Sequence, residues 1–270
     1  MQFDETISLT FGEQVENHHG MEKIGKIADE GYSIDDFKKI VEKLEKNNIR
    51  YTLFDLKKEL PSDIKTNHNN LDAKVILIKN GVNQILNNPK GAKYLYNEQK
   101  TLSFDKKAFM RGKIVNKIAR WNSCFADKSQ KPDYENKKGT IINFKNVPFL
   151  NSLRNKLHKY FGKKAKKLYA EMNYYYDLDN CGIGFHGDTE RKIVICVRLG
   201  ATMPMHFQWF HRYKPIGERK IFSADHGDIY IMSAKAVGHD WKKSSIPTLR
   251  HAAGSAKYTT IKLKKLINSP

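Results

Sequence analysis

From residue 170 onward the chain reads as a series of short strands, and this pattern constrains the fold more than any other feature. Several of these segments alternate apolar and polar residues, and Gly, Pro, Asp or Asn separates each from the next. Many short strands in close succession are typical of a β-sandwich or a β-barrel, and they argue against a parallel sheet alternating with helices. The predicted strands are MNYYYD (172–177), KIVICVRL (192–199), MHFQWF (205–210), RKIFSA (219–224), DIYIMS (228–233), TLRHAA (248–253) and KYTTIKL (257–263).

The first hundred residues have a different pattern, which predicts a small α/β region. Its first helix has an apolar stripe, and Ser33 can cap that helix together with Asp36. The predicted elements are helices at 33–47 and 81–88 and strands at 50–54 and 73–78. We therefore expect an N-terminal α/β extension over residues 1–104 and a second domain over residues 105–270.

A basic stretch, residues 105–125, mixes Lys and Arg with Phe and Trp. Basic side chains neutralise phosphates and aromatic faces stack on bases, so Arg120 and Trp121 are predicted to contact nucleic acid. An amphipathic helix with a solvated basic face would explain the same composition. A stronger helix is predicted at 148–168, where Gly162 is the expected terminator.

The charge of the chain indicates an anionic partner. Its 270 residues carry a formal net charge of +19. Nucleic acid is the commonest partner of so basic a protein, and a basic surface that serves solubility is the alternative. No apolar run approaches the roughly 18 residues that span a bilayer, and the N-terminus has no signal-peptide pattern. We expect an intracellular protein, in the cytoplasm or nucleus, with no membrane partner and no obligate protein partner.

Residues 181–200, CGIGFHGDTERKIVICVRLG, place His186 and Asp188 two positions apart ahead of an apolar run. If residues 183–188 are extended, both side chains point to the same face, because side chains alternate along a strand. An imidazole and a carboxylate on one face, completed by a distant histidine, form the facial triad of non-haem iron sites. The alternative is a polar turn ahead of a strand.

Two later histidines are candidates for the third ligand. His239 lies in a loop rich in Gly and Lys, whereas His251 lies in an apolar strand followed by small residues that leave room for a metal ion. The other late histidines either follow the first ligand too closely or lie in an Asp-His-Gly-Asp turn. We expect His251 to be the ligand, with His239 as the alternative.

Taken together, the motifs of residues 105–263 resemble those of the AlkB-type iron(II)/2-oxoglutarate dioxygenases. That family has Asn-x-Tyr ahead of Ile-Gly-x-His-x-Asp, then a Ser-Leu-Gly strand, a turn like His-Gly-Asp and a distal His. The corresponding stretches here are NYYYD, GIGFHGDTE, RLG, HGDIYIMS and LRH. The chain looks closest to the branch found in large DNA viruses and protists, and SLTFGEQVENHHGMEKIG extends the similarity towards the N-terminus.

This resemblance implies an α+β fold whose core is a double-stranded β-helix, or jelly roll, with flanking helices and the small N-terminal α/β extension. It implies that His186, Asp188 and His251 bind Fe(II), with 2-oxoglutarate and O2 as cosubstrates. Asn173 and Tyr175 match the residues that contact 2-oxoglutarate in the family.

The resemblance also implies contacts with the substrate. Glu190 matches the acidic position that meets the target base in several family members, and pairing with Arg191 or Lys192 is the alternative. The lid that grips nucleic acid in the family corresponds to parts of residues 105–150, which include the basic and aromatic residues named above.

One part of the family pattern is not intact. The pattern Arg-x-Asn/Ser-x-Thr-x-Arg, whose arginines pair with the carboxylates of the cosubstrate, corresponds to AKYTTIK, which keeps Thr260 and has Ala256 and Lys262 at the arginine positions. A lysine binds a carboxylate as a point charge but lacks the bidentate fork of arginine. Lys262 and Lys257 are therefore the predicted carboxylate ligands, and Arg250 is a competitor.

The expected function is oxidative demethylation of alkylated nucleic-acid bases, dependent on Fe(II) and 2-oxoglutarate. The target base would enter from a single strand or after flipping out of a duplex. Two alternatives stay open. One is a protein side-chain hydroxylase or demethylase of the same class, and the other is a non-catalytic basic nucleic-acid-binding protein on a degenerate barrel.

Overall fold

The computed structural model describes residues 3–261 and shows an α+β fold in which strands predominate. The predicted fold class is confirmed at that level. Within the described range no helix is long and apolar enough to cross a membrane. The helices are α1 (Ile34–Lys46), α2 (Ser62–Asn67), α3 (Gly81–Leu86), α4 (Gly91–Lys100), α5 (Pro148–Phe161), α6 (Ala234–Val237) and α7 (Ala256–Thr259).

The strands form two main sheets. In chain order they are β1 (Thr6–Gly12), β2 (Gln14–Glu16), β3 (Lys23–Gly25), β4 (Thr52–Asp55), β5 (Lys74–Ile78), β6 (Lys107–Met110), β7 (Lys113–Asn116), β8 (Trp121–Ala126), β9 (Ile141–Asn143), β10 (Tyr169–Tyr175), β11 (Gly182–His186), β12 (Val194–Gly200), β13 (Met203–His211), β14 (Lys214–Ala224), β15 (Ile229–Met232) and β16 (Thr248–Gly254). The large sheet has eight strands in the order β4-β5-β15-β12-β1-β10-β8-β9, and the small sheet has four in the order β11-β16-β13-β14. Neighbouring strands are antiparallel except for the parallel pair β8 and β9.

Residues of β1 alternate between two environments, and this alternation shows how the layers are built. Ile7, Leu9 and Phe11 are fully buried in an apolar cluster that also contains buried residues of α1 and α5. Ser8 and Thr10 point the other way, into a cavity between the two sheets. The helices therefore cover one face of the large sheet and the small sheet covers the other, as the period of two along a strand requires.

A second apolar cluster lies between the two sheets. It contains buried residues of β12 and β15 from the large sheet and of β13 and β16 from the small sheet. Trp209 of β13 is buried there, and its indole Nε1 donates a hydrogen bond to the carbonyl of Leu56 at 2.8 Å. Full burial of a large apolar side chain contributes roughly 1.5–3 kcal/mol, so this layer holds the two sheets together.

Leu9→Ala is expected to lower the free energy of unfolding by about 2–5 kcal/mol, because it leaves a cavity in the centre of the core. Leu9 is fully buried between Met172 of β10 and Val197 of β12. Urea unfolding measures the change, and Leu53→Ala, at a position 40% exposed on the edge strand β4, is the control. Equal losses in the two variants would contradict this description of β1.

The two longest predicted helices are confirmed, and their ends follow the expected capping. The side chain of Ser33 accepts a hydrogen bond from the backbone of Asp36 and that of Asp36 accepts one from the backbone of Ser33, which completes a capping box on α1. Helix α5 begins at Pro148 and ends before Gly162, whose φ of 79° lies in the left-handed region that favours glycine.

The helix considered for residues 105–125 is wrong, because this stretch forms β6, β7 and the start of β8. Arg111 and Gly112 connect β6 to β7 with φ values of 50° and 79°. A two-residue loop with both φ values positive matches the twist of an antiparallel hairpin. The Arg-Gly pair is therefore a local signal for a hairpin turn, and the charge pattern of the segment gave no indication of it.

The strand predicted at 257–263 is wrong in its described part, where Ala256–Thr259 form helix α7. Gly254 has a φ of 105°, and this conformation turns the chain out of β16 before Ser255 begins the helix. Lys257 lies on this short helix. Lys262 lies outside the described residues.

The predicted boundary at residue 104 falls between strands of a single sheet. β1 lies between β10 and β12, and β5 pairs with β15. Strands from residues 1–104 therefore share the large sheet with strands from residues 105–261.

Candidate metal centre

Two adjacent strands and the turn after one of them bring three predicted metal ligands together. His186 ends β11 and lies directly opposite His251 of β16. Asp188 follows His186 by two residues and is buried, as is His251. Gly187 between the two ligands has no room for a side chain, because a Cβ there would lie 2.0 Å from the carbonyl oxygen of Gly238. The close backbone approach therefore explains the glycine in the His-Gly-Asp motif.

The geometry of this cluster suits one metal ion. Nε2 of His186 is 3.5 Å from Oδ1 of Asp188, and Nε2 of His251 is 3.8 Å from the same oxygen. One ligand atom from each side chain lies within 4.8 Å of the other two. Two ligand atoms bound at right angles to an ion at about 2.1 Å are about 3 Å apart, so small side-chain rotations close the site around a metal. His186, Asp188 and His251 could therefore hold a metal ion.

Hydrogen bonds around the cluster orient its ligands. Nδ1 of His186 lies 2.8 Å from the carbonyl oxygen of Gly184. Because a carbonyl only accepts, Nδ1 carries the proton and Nε2 keeps its lone pair for a metal. Nδ1 of His239 lies 3.1 Å from the backbone carbonyl of Asp188, so His239 contacts the main chain of a ligand. Of the two candidates for the third ligand, His251 lies in the cluster, whereas His239 lies outside it and contacts the backbone of Asp188.

His239→Ala is expected to weaken metal binding by about 10-fold, because it removes a hydrogen bond that fixes the main chain at Asp188. Competition with a chelator measures the dissociation constant of the metal. A loss as large as that caused by His251→Ala would instead make His239 a direct ligand.

Burial and neighbouring charges set the protonation of the ligands. Burial alone would raise the pKa of Asp188, but the adjacent imidazole of His186 and the positive charge of Arg191 outweigh burial and hold this pKa below its usual value. Burial, together with the nearby His186, lowers the pKa of His251 to about 4. At neutral pH the carboxylate is thus ionised and the His251 imidazole is neutral, which are the forms that bind a metal.

A cavity of about 430 Å³ adjoins the cluster and lies between the two sheets. It contains several of the predicted site residues, together with hydroxyl, acidic and basic side chains that were not predicted. His19 and Lys242 line it and are exposed, so they lie at its opening. Residues lining the cavity include Ser8, Thr10, Glu16, His18, Arg120, Glu171, Asn173, Tyr175, His186, Asp188, Glu190, Arg191, Arg198, Met205, Tyr230, Met232, Trp241 and His251.

The two residues expected to contact a cosubstrate, Asn173 and Tyr175, both line this cavity. They are two apart on β10 and therefore share a face. Oδ1 of Asn173 accepts hydrogen bonds from Nε of Arg120 at 2.6 Å and from Nδ2 of Asn122 at 2.5 Å. The amide of Asn173 is therefore fixed by its neighbours, whereas Tyr175 contributes an aromatic side chain to the cavity wall.

Arg120 and Trp121 are consecutive and point to opposite sides of the large sheet. Arg120 lines the cavity, and Trp121 does not. Trp121 stacks on Tyr176 with ring centroids 4.2 Å apart, and the Nζ atom of Lys106 lies 4.2 Å from the centre of its ring. Only Arg120 of this pair is placed to meet a molecule in the cavity.

Glu190 lines the cavity, but its carboxylate already has a partner. Nη2 of Arg191 lies 2.7 Å from Oε1 of Glu190, and the same guanidinium binds Glu171. The pairing with Arg191 considered from the sequence is present, here in a buried network and not at the surface. Arg191 therefore connects Glu190 to the metal cluster, since its Nε lies 4.0 Å from Oδ2 of Asp188.

Neither Lys257 nor Arg250 lines the cavity. Lys257 is exposed on α7, with its Nζ 5.5 Å from the centre of the Tyr258 ring. The guanidinium of Arg250 lies over Phe210 at 4.1 Å and donates to the carbonyl of Trp241. Lys262 lies outside the described residues.

A cavity residue that the sequence reasoning missed is Arg198 of β12, which is buried and lines the wall near the cluster. A sequence signal was present, because Arg198 is the one charged residue in the run IVICVRLG. Charged side chains are rarely buried without a partner, so a lone cation inside an apolar strand marks a position that needs explanation.

No model of a known protein family matches the chain. A protein of Acanthamoeba polyphaga mimivirus described as "Uncharacterized protein R156" is 43% identical to it over 258 residues, which are 95% of this chain and 98% of the viral protein. Identity at this level over nearly the whole of both chains shows that they share one fold and one origin. This chain therefore belongs to the same protein family as the mimivirus protein.

Proposed function

We propose that this protein is an Fe(II)- and 2-oxoglutarate-dependent dioxygenase of the AlkB type. The observation that carries the proposal is the cluster of His186, Asp188 and His251 on the wall of a cavity. Two imidazoles and one carboxylate on one side of a metal are the ligand set of non-haem iron oxygenases, which leaves the remaining positions open. The fit of these side chains to one ion, described above, supports metal binding over a purely structural role for the three residues.

The order of the strands supports a double-stranded β-helix as the core. From β10 to β16 the chain visits the large, small, large, small, small, large and small sheets in turn. Two facing sheets of four strands make a jelly roll of eight strands, and β10 to β16 supply seven. β1, which lies between β10 and β12, supplies the eighth.

The chain's own residues prepare the site for this chemistry. When bound, Fe(II) would supply the centre at which 2-oxoglutarate is oxidatively decarboxylated and O2 is activated to hydroxylate the substrate. Asp188 and the two histidines would hold the metal, and His186 and Arg191 lower the pKa of Asp188, which favours its ionised form. The walls of the two sheets limit the access of water, which protects a reactive centre from side reactions.

The surface near the opening of the cavity supports nucleic acid as the substrate. Arg111 and Lys113 are exposed at the turn of the β6–β7 hairpin, beside the exposed Met110 and Ile114. This hairpin borders a smaller cavity that shares Arg120 and His18 with the main one. Cations for phosphates and apolar side chains for bases suit a single strand, and the net charge of +19 favours it further.

The function is tested with purified protein, Fe(II), 2-oxoglutarate, O2 and a single-stranded DNA oligonucleotide that carries N-methylated bases. We expect succinate to form and formaldehyde to appear in equal amounts, because a hydroxylated N-methyl group leaves as formaldehyde. The unmethylated oligonucleotide and His186→Ala are the controls, and neither should release formaldehyde.

Other outcomes separate the alternatives. Succinate formation that peptides stimulate and methylated DNA does not would identify a protein hydroxylase or demethylase. Tight binding of DNA with no succinate under any condition would identify a non-catalytic binding protein. Succinate formation that survives His186→Ala would contradict the proposed site.

A further inference from the structure

We propose that Arg198 and Ser8 bind the distal carboxylate of the cosubstrate, the one that does not contact the metal. They would take the role that the sequence predicted for Lys262 or Lys257. This inference rests on the proposed function and deepens it. It assigns the cavity to an acid with two functional ends, one that chelates a metal and one that is a carboxylate.

The first observation is that Arg198 is buried without a compensating charge. Its side chain is 1% exposed, and within residues 3–261 no carboxylate lies within 4 Å of its guanidinium. Its Nε atom has no hydrogen-bond partner in the described part of the chain. A buried, unpaired charge is strongly unfavourable, so a protein that keeps one usually provides it with an anion.

The second observation is the weakness of the partners that Arg198 does have. Nη1 donates to the hydroxyl of Ser8 and faces Sδ of Met203 at 3.5 Å, and Nη2 faces Sδ of Met205 at 3.3 Å. Thioether sulfur is a weak acceptor, and a hydroxyl can give up one hydrogen bond and make another. These contacts hold the guanidinium in position and leave its donors available to a stronger acceptor.

The third observation is where the guanidinium lies. Ser8 and Arg198 are directly opposite each other on β1 and β12, so their side chains share the face that looks into the cavity. The hydroxyl of Tyr230, on the same wall, lies 3.4 Å from Sδ of Met205, which is likewise a weak acceptor. One wall thus offers a guanidinium and two hydroxyls, and the metal cluster lies on the wall of the same cavity.

This pairing selects the chemical class of ligand. A guanidinium binds a carboxylate through two parallel hydrogen bonds, and the metal cluster takes a chelating group such as a 2-oxo acid. A short dicarboxylate with a 2-oxo group satisfies both ends. A monocarboxylate such as pyruvate can satisfy only the metal.

The inference is tested by equilibrium binding without turnover. Calorimetry measures the binding of 2-oxoglutarate and of pyruvate to protein loaded with Mn(II) under anaerobic conditions. Arg198→Met, which suits its neighbours Met203 and Met205, is expected to weaken 2-oxoglutarate binding about 100-fold and to leave pyruvate and Mn(II) binding unchanged. Arg212→Met, an exposed arginine in the β13–β14 turn, is the matched control and should bind like the wild type.

A second measurement needs no metal. Succinate should raise the melting temperature of the metal-free wild-type protein and should not raise that of Arg198→Met, whose own stability in urea tests its folding.

If Arg198→Met binds 2-oxoglutarate as tightly as the wild type, or if succinate raises its melting temperature as much, the inference is overturned while the proposed function stands. If the wild type binds Mn(II) but no 2-oxoglutarate, the proposed function and this inference both fail. Stabilisation by succinate that depends on Arg198 in a protein that binds no metal would instead support this carboxylate site and reject the dioxygenase.

Discussion

Replacing His251 with alanine is expected to lower the affinity for Fe(II) by more than 100-fold and to abolish succinate formation. His251 supplies one of three ligand atoms, and removal of a contact behind the ligands already costs about 10- to 100-fold in comparable sites. Its imidazole is neutral at pH 7, so the alanine variant loses a ligand and not a charge. Metal content after dialysis, measured by atomic emission, gives the first result, and product analysis gives the second.

His211→Ala is the matched control for this prediction. His211 ends β13, packs edge-to-face against His68 and does not line the cavity, so its variant loses an imidazole from the same sheet without touching the cluster. It should keep the metal and the activity of the wild type. Equal metal content in the His251→Ala and wild-type proteins would contradict the ligand assignment.

Gly187→Ala is expected to reduce metal affinity at least 10-fold and to lower the free energy of unfolding by about 1–3 kcal/mol. The new Cβ would lie 2.0 Å from the carbonyl oxygen of Gly238 and 2.8 Å from Cβ of Trp241. Backbone atoms cannot move aside as a flexible side chain would, so the turn that carries Asp188 must shift. Metal titration and urea unfolding measure the two effects.

Gly184→Ala, on β11 three residues before Gly187, is the control. A Cβ at Gly184 would have its nearest neighbour, the carbonyl oxygen of Tyr258, at 3.8 Å, which is an ordinary contact. This variant should bind metal and unfold like the wild type. If both alanine variants behave alike, close packing at Gly187 does not position the metal ligands.

The metal cluster could be predicted from the sequence because its geometry is mostly local. His186 and Asp188 are two residues apart, and an extended chain places such residues on one side without any knowledge of the fold. His251 could be chosen over His239 because apolar neighbours favour a strand in the core, and the structure places it opposite His186. The helices at 33–47 and 148–168 were equally accessible, since their caps and apolar stripes are local patterns.

The other end of the cavity could not be predicted, because it depends on pairing between distant parts of the chain. Ser8 and Arg198 are directly opposite each other although 190 residues separate them. Ser8 and Thr10 of β1 also have a Ser-x-Thr spacing and line the cavity. The sequence pattern pointed to basic residues after His251, where Ala256–Thr259 form α7, whereas the cation that we propose for this role, Arg198, lies on β12 beside β1.

The arginines show why local composition was an incomplete guide. Pairing of Glu190 with Arg191 was an alternative from the sequence, but Glu171 of β10 also lies against this guanidinium and completes a buried network that periodicity along a single strand does not reveal. Arg120 and Trp121 looked equivalent as nucleic-acid contacts. Only the placement of β8 beside β10 shows that one faces the cavity and the other stacks on Tyr176.

The most direct test of the central claim is anomalous diffraction at the iron edge from crystals grown with Fe(II) under anaerobic conditions. We predict one strong peak within bonding distance of Nε2 of His186, a carboxylate oxygen of Asp188 and Nε2 of His251. A peak coordinated by His239 in place of His251, or full occupancy of iron at a different site with none at this cluster, would contradict the account.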